Sequence, residues 1–123
     1  MAARNRNQDK YSFKTLKPGD GTNFPKKGDT CRVHYVGKLK SGKVFDDTRR
    51  RGRPVEFTVG DNQVIEGWER ALSGMSKGQI ARVSIPPALG YGETGYPPII
   101  PPNSTVIYEI ELMMFQSPSA LSK

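Results

Sequence analysis

Alternation of apolar and polar residues is the dominant pattern along this chain. Apolar side chains recur at about every second position in 30–39, 44–46, 55–59, 81–85 and 106–113, and the last of these segments is the most regular. A period of two is typical of a strand with one face in the core and the other in solvent. The pattern therefore predicts five strands, separated by turns rich in glycine and proline.

One segment has the period of a helix instead. Val64, Trp68 and Leu72 recur at four-residue intervals, and Gly74 follows them as a stop signal. This spacing predicts a helix from about Asn62 to Ser73. Five strands and one short helix predict an α+β fold, in which an antiparallel five-stranded sheet curls around the helix. Such an arrangement leaves a cavity where the helix meets the sheet.

A long loop, which we call the flap, spans residues 86–102 and combines proline pairs with glycines. Proline and glycine at this density exclude a long helix or a central strand. Loops of this length are usually functional or disordered, and this one carries large apolar side chains that a solvated linker does not need. We interpret it as a cover over an apolar hollow, towards which Tyr91, Tyr96, Ile99 and Ile100 point.

Length and polarity set the limits of the domain. A chain of 123 residues is expected to form one domain around a single core. Residues 1–11 and 116–123 are polar and are predicted to be tails, flexible and basic at the first end, around a domain that spans 12–115. No segment resembles a secretory signal or a membrane span, so we expect no membrane partner.

The chain has a single cysteine, Cys31, which excludes an internal disulfide and suits a reducing compartment. Because Cys31 falls on a predicted strand, we expect a buried and unreactive thiol. The expected location is the cytoplasm, and the nucleus is a second possibility.

Positive charge is concentrated in the first half of the chain. The net charge is +7, and residues 1–60 contain 15 Lys and Arg against 6 Asp and Glu. The densest cluster is 49–53, without interleaved aromatic residues or a zinc-finger spacing. Two interpretations of this cluster stay open. It is a solvated loop, or it contacts an anion or a nucleic acid, the latter together with Lys26, Lys27 and the N-terminal tail.

Two sequence motifs match catalytic signatures but lack the required context. The G-x-G-x-x-G at 90–95 runs into Tyr96-Pro97-Pro98, which prevents the helix that a dinucleotide site needs. The G-x-S-x-G at 74–78 follows a helix, and the only histidine, His34, precedes it. His34 is expected on the polar face of its strand. No spacing indicates a metal site, so we expect neither metal nor cofactor.

The side chains that remain form an aromatic and apolar set from three strands, the start of the helix and the flap. Trp68 taken alone would be a core residue. The whole set is harder to explain as a core, because part of it lies on the proline-rich flap, and such a loop is an unusual element to complete a core. The set is Tyr35, Phe45, Val55, Phe57, Val64, Ile65, Trp68, Tyr91, Ile99, Ile100 and Tyr108.

With these residues in view, the chain resembles the FKBP-type peptidyl-prolyl isomerases, the immunophilins that bind tacrolimus and rapamycin. The likeness runs from about residue 12 to 114, in an order and with gaps that match the family. It is carried by Val33–Gly37, Gly42–Asp46, Val64–Trp68, Gly90–Gly92 and Ile99–Pro102.

The resemblance implies a monomeric isomerase that takes proline-containing peptides and proteins, with an apolar pocket that has Trp68 as its floor. It implies catalytic roles for Tyr35, Phe45, Asp46, Trp68, Tyr91 and Tyr108. The ligand contacts that it implies are these residues together with Val55, Gln63, Val64, Ile65, Tyr96, Ile99 and Ile100. Among them, Asp46, the Ile65 N–H and the Tyr91 hydroxyl are the polar points.

This chain departs from the family's common pattern at four positions. Val55 stands where an aromatic residue is usual, Tyr108 replaces a phenylalanine, Tyr96 a histidine, and Gly90 an alanine. The departures bear on substrate preference and drug affinity. The alternative to an enzyme is a scaffold of the same fold that binds proline-containing partners, with or without nucleic-acid contacts through the basic half.

Overall fold

The computed structural model describes residues 10–118, which contain six strand segments and two short α-helices. A single 3₁₀ turn, Pro87–Leu89, lies in the flap. In chain order the elements are β1 Ser12–Lys17, β2 Thr30–Leu39, β3 Val44–Asp47, α1 Thr48–Arg51, β4 Val55–Thr58, α2 Glu66–Ser73, β5 Ile80–Ile85 and β6 Val106–Gln116. The predicted tail segments 1–9 and 119–123 lie outside the described residues.

All the strands form one antiparallel sheet in the order β1-β5-β6-β2-β3. β4 also pairs with β2, on the side away from β6, so β3 and β4 share one edge of the sheet and α1 separates them. The six strand segments therefore lie in five rows across the sheet, because β3 and β4 occupy the same row. The predicted α+β class, an antiparallel sheet with a short helix against it, is confirmed.

The first strand, β1, is absent from the sequence prediction. Its residues show little alternation in burial, because β1 is an edge strand on which only Phe13 is half-buried. β1 pairs with β5, and Phe13 lies opposite Val83. A strand that contributes one side chain to the core carries almost no hydrophobic pattern from which it could be recognised.

The helix begins later than predicted, at Glu66 rather than Asn62. Asn62 has a left-handed backbone with φ of 57°, and Ile65 is extended at the position before the first helical residue. The Gln63 side chain accepts a hydrogen bond of 2.7 Å from the Thr58 N–H. This contact holds the segment to the end of β4, so the helical turn starts after it.

The core lies between α2 and the concave face of the sheet. α2 approaches β5 closely at Gly67, where an added Cβ would lie 2.5 Å from the Cγ2 atom of Ile85. Cys31 is fully buried, and burial raises the pKa of its thiol to about 12, as expected of an unreactive cysteine. Within residues 10–118, no helix is long and apolar enough to cross a membrane.

Candidate functional site

Three aromatic rings from different elements meet at one end of the core. Trp68 comes from α2, Tyr35 from β2 and Tyr108 from β6. The ring centroids of Trp68 lie 4.9 Å from Tyr35 and 5.2 Å from Tyr108, and those of the two tyrosines lie 5.6 Å apart. All three pairs meet edge to face, the geometry that aromatic quadrupoles favour. The rings therefore fix one another in place.

Two phenylalanines extend this group. Phe45 of β3 meets Tyr108 edge to face at 5.7 Å, and Phe57 of β4 meets Trp68 at 5.9 Å. Phe45 is half-buried, whereas Phe57 is buried in the core. The structure thus brings the predicted aromatic residues of β2, β3, β6 and α2 together, and assigns Phe57 to their support.

A glycine makes room for two of these rings. A Cβ atom added to Gly37 would lie 2.8 Å from the Phe45 ring and 2.8 Å from the Tyr108 ring. Carbon atoms do not approach this closely, so no other residue fits at position 37 unless the rings shift. We call the group formed by Tyr35, Phe45, Trp68 and Tyr108 the aromatic pocket.

The aromatic pocket has one polar corner. The Tyr35 hydroxyl donates a hydrogen bond of 2.5 Å to Asp46 Oδ2. Arg51 lies beside both groups, with Nε 3.4 Å from Asp46 Oδ1 and Nη2 3.4 Å from the Tyr35 hydroxyl. Burial, and then the hydrogen bond to Asp46, raise the pKa of Tyr35, so its hydroxyl keeps its proton and remains a donor.

The short helix α1 places Arg51 at this corner. The Asp47 side chain accepts from the backbone N–H groups of Arg49 and Arg50 and so caps the helix. Thr48 is fully buried, and its hydroxyl accepts a 2.8 Å hydrogen bond from the Tyr35 N–H. A ring nitrogen of His34 lies 2.7 Å from the same hydroxyl. His34 is therefore half-buried and anchors α1, although the sequence indicated only a place on the polar face.

The flap brings Tyr91 to the aromatic pocket and folds back on itself. Tyr96 and Ile100 form an isolated β-bridge, and Ile100 is buried in the core. Tyr96 and Ile99 are 58% and 45% exposed, so both form a rim rather than a wall. The Tyr91 hydroxyl lies 3.3 Å from the Tyr108 hydroxyl, which ties the flap to β6.

The other predicted residues lie around this group. Val55 on β4 pairs with Val33, and Val55, Val64 and Ile65 are half-buried against the core. Gln63 is exposed and bonded to the backbone of Thr58. Within residues 10–118 the Ile65 N–H has no hydrogen-bond acceptor, and its carbonyl accepts from Trp68. A backbone donor is thus free at the residue that precedes α2, the helix that carries Trp68.

The aromatic pocket offers binding rather than covalent chemistry. Its surfaces are aromatic, and its polar groups are hydroxyls and the Asp46 carboxylate paired with Arg51. The one cysteine, Cys31 on β2, is buried in the core. In the part of the chain that the structure describes, no group of three His, Cys, Asp or Glu side chains could hold a metal ion. Such a site favours a ligand with an apolar group and a few polar atoms.

Comparison with known proteins supplies the identity of the fold and its activity. A family profile described as FKBP-type peptidyl-prolyl cis-trans isomerase matches residues 21–113. The chain belongs to this family. Peptidyl-prolyl cis-trans isomerase FKBP1A of Xenopus laevis is 49% identical over 102 residues, covering 83% of this chain and 94% of that protein. The isomerase activity expected from the resemblance is thereby confirmed.

A solved structure supports the same assignment at the level of the fold. The crystal structure of FkpA from Escherichia coli superposes with a TM-score of 0.80 and 37% sequence identity. The match covers 87% of this chain but only 48% of that chain, so this chain spans about half of FkpA.

Three residues that contact the aromatic pocket or its polar corner are not indicated by the sequence: Gly37, Thr48 and Arg51. Gly37 lay inside one of the blocks that carry the family resemblance, but a glycine in a strand does not reveal what packs over it. Thr48 precedes the basic cluster, and nothing in the local sequence distinguishes its buried hydroxyl from an exposed one. The charge pattern predicts a solvated loop or a nucleic-acid contact for Arg51, whereas in the structure Arg51 pairs with Asp46.

Proposed function

We propose that the aromatic pocket is the place where this isomerase binds the proline ring of its substrate and lets the preceding peptide bond rotate. The observation that carries the proposal is the meeting of the Tyr35, Phe45, Trp68 and Tyr108 rings. The Ile65 N–H, just before α2, has no acceptor among the described residues. The substrate class is a peptide or protein with an X–Pro bond.

The barrier to rotation arises from amide resonance. Cis and trans X–Pro bonds differ by about 0.5–1 kcal/mol, but they exchange over tens to hundreds of seconds because the barrier is about 20 kcal/mol. No covalent bond is made or broken, so the reaction needs no nucleophile, metal or cofactor. Lowering the barrier by about 6–8 kcal/mol accelerates exchange roughly 10⁴–10⁶-fold.

An apolar pocket can supply this difference because rotation changes the polarity of the amide. The twisted amide loses its charge-separated resonance form, and the dipole of its carbonyl falls. Aromatic walls therefore tolerate the twisted amide better than the planar one, which is preferential binding of the transition state. The four aromatic residues receive the proline ring and the carbonyl, while the Tyr91 hydroxyl and the Ile65 N–H hold the peptide backbone.

The sequence leaves two interpretations of Asp46. Its carboxylate orients the Tyr35 hydroxyl, or it changes the electric field at the rotating bond. The 2.5 Å hydrogen bond from Tyr35 and the nearby Arg51 support the orienting role. A carboxylate paired with a guanidinium contributes less field to its surroundings than an isolated one. We therefore propose that Asp46 acts mainly by fixing Tyr35.

The test is turnover by variants of the aromatic pocket. Phe45→Ala removes a half-buried wall, and we expect kcat/KM for a Leu-Pro-Phe peptide to fall about 30- to 100-fold, equivalent to about 2–3 kcal/mol of lost burial. Trp68→Leu removes the aromatic ring from the floor of the pocket but keeps a large apolar side chain there, so that the variant stays folded. Phe13→Ala is the matched control, since Phe13 is half-buried on β1 outside the pocket. Unchanged turnover in folded Phe45→Ala and Trp68→Leu would reject the pocket assignment.

We further propose that the same pocket binds tacrolimus and rapamycin, with the departures at Val55, Tyr96 and Tyr108 lowering affinity. Val55 presents a thinner wall than an aromatic residue, and the exposed Tyr96 leaves the rim open. Trp68 is the only tryptophan, so its fluorescence reports occupancy directly. Titration that saturates at one equivalent supports this proposal, and no change at micromolar drug contradicts it.

The basic cluster gives less support to a nucleic-acid function. Arg49 forms an ion pair with Glu111, and Arg51 pairs with Asp46, so two of its arginines already face carboxylates of the same chain. A scaffold role stays separable from the enzyme by comparing peptide affinity with turnover. Gel filtration at micromolar concentration tests the expected monomer, and cell fractionation tests the expected cytoplasmic location.

A further inference from the structure

The hydroxyl groups of Tyr91 and Tyr108 lie 3.3 Å apart, and on distance alone either could donate to the other. Their surroundings differ. Tyr108 is 3% exposed and its ring is enclosed by Tyr35, Phe45 and Trp68, whereas Tyr91 is half-buried on the flap. Burial decides the direction of this hydrogen bond.

The buried hydroxyl has to be the donor. Among the described residues, Tyr91 Oη is the only hydrogen-bond partner of the Tyr108 hydroxyl. If Tyr91 donated, the Tyr108 proton would have no acceptor, at a cost of about 1–3 kcal/mol. If Tyr108 donates, both protons are satisfied, because that of Tyr91 can reach solvent or a bound peptide. Burial also raises the pKa of Tyr108, so its proton stays in place.

We propose that Tyr108 is a positioning residue, whose hydroxyl donates to Tyr91 Oη and aims the Tyr91 proton at a carbonyl oxygen of the bound proline-containing peptide. The inference rests on the proposed function and adds a specific role for Tyr108. A hydroxyl that accepts a hydrogen bond is itself a better donor, and it has fewer free rotations to lose when the peptide binds. The neighbouring rings hold Tyr108 Oη at a fixed point.

The experiment is a double-mutant cycle with Tyr108→Phe and Tyr91→Phe, measured as KM and kcat for cis/trans exchange of a Leu-Pro-Phe peptide. We expect Tyr108→Phe to raise KM about two- to tenfold, the range of one neutral hydrogen bond, with kcat nearly unchanged. In the Tyr91→Phe background the same change should have almost no effect. Tyr11→Phe is the matched control, because Tyr11 lies outside the pocket beside Arg70.

Three results would overturn the positioning role. An equal rise in KM in both backgrounds would mean that Tyr108 acts independently of Tyr91. A lower KM in Tyr108→Phe would mean that Tyr91 donates to Tyr108, so that Tyr108 Oη competes with the peptide carbonyl for the Tyr91 proton. An unchanged KM would mean that Tyr91 needs no partner. Phe45→Ala assayed beside the cycle separates these results from failure of the proposed function, in which that variant also keeps full turnover.

Discussion

At the scale of single residues, the aromatic pocket depends on what surrounds the aromatic side chains as much as on the side chains themselves. The sequence shows Tyr35, Phe45, Trp68 and Tyr108, because aromatic side chains and the family pattern they belong to can be read from it directly. It does not show Gly37, whose importance comes from the 2.8 Å approach of two rings to a missing Cβ. Contacts between residues distant in sequence leave no mark in local composition.

Gly37→Ala is expected to damage the aromatic pocket. The new methyl group would displace Phe45 and Tyr108, which are rigid rings that cannot bend away. We expect a loss of about 1–3 kcal/mol in the free energy of unfolding and a fall in kcat/KM, measured by urea denaturation and peptide exchange. Gly74→Ala is the control, since its nearest contact is an ordinary 3.7 Å. Equal tolerance of both variants would contradict the packing described at Gly37.

Among whole elements, α1 contributes Arg51 and the flap contributes Tyr91, and both elements are too irregular for periodicity to describe. α1 has only four residues, and its first residue is the buried Thr48. The regular elements β2, β5 and β6 were predicted closely because each has an alternating core face. The start of α2 was wrong by one turn, because the bond from Thr58 to Gln63 overrides helical spacing.

Thr48→Val should loosen α1 from β2. The substitution keeps the shape of the side chain but removes the acceptor of the Tyr35 N–H and the partner of His34. We expect unfolding free energy to fall by about 1–3 kcal/mol, the cost of unsatisfied buried groups. Because α1 carries Arg51, kcat/KM should fall as well.

Thr48→Ser provides the matched comparison, since it keeps the hydroxyl and loses only a methyl group. It should recover most of the activity that Thr48→Val loses. If the valine variant were as active and as stable as the wild type, α1 would not be held through Thr48.

For the molecule as a whole, the sequence predicted the α+β class and the family, because both depend on patterns spread over the chain. Strand pairing and the sharing of one sheet edge by β3 and β4 were beyond it, because register follows from contacts that sum over the entire sheet. The resistance of buried hydroxyls to ionisation is likewise a property of the folded molecule. Because the pocket contains such a hydroxyl, its ionisation affects the stability of the fold.

Alkaline conditions should destabilise the protein. Burial raises the pKa of Tyr108 above its ordinary value of 10.0, so the unfolded chain loses this proton at a pH where the folded chain keeps it. The stability that Tyr108 contributes by keeping its proton is fully present below about pH 10. Above that pH the free energy of unfolding declines by up to about 1.4 kcal/mol per pH unit. Urea denaturation from pH 8 to 11 measures the slope.

Tyr108→Phe should make that slope shallower than the wild-type slope, because it removes the buried phenol. The same slope in Tyr108→Phe and the wild type would show that Tyr108 does not resist ionisation in the folded protein.

The central claim, that isomerase turnover takes place in the aromatic pocket, is tested most directly by competition. Cis/trans exchange of a Leu-Pro-Phe peptide is measured by NMR at catalytic protein concentration while rapamycin is added and Trp68 fluorescence is followed in the same sample. The account predicts that the catalysed exchange rate falls to zero as the Trp68 fluorescence change saturates, both at one equivalent of drug. Saturated fluorescence with undiminished exchange would place the chemistry elsewhere and contradict it.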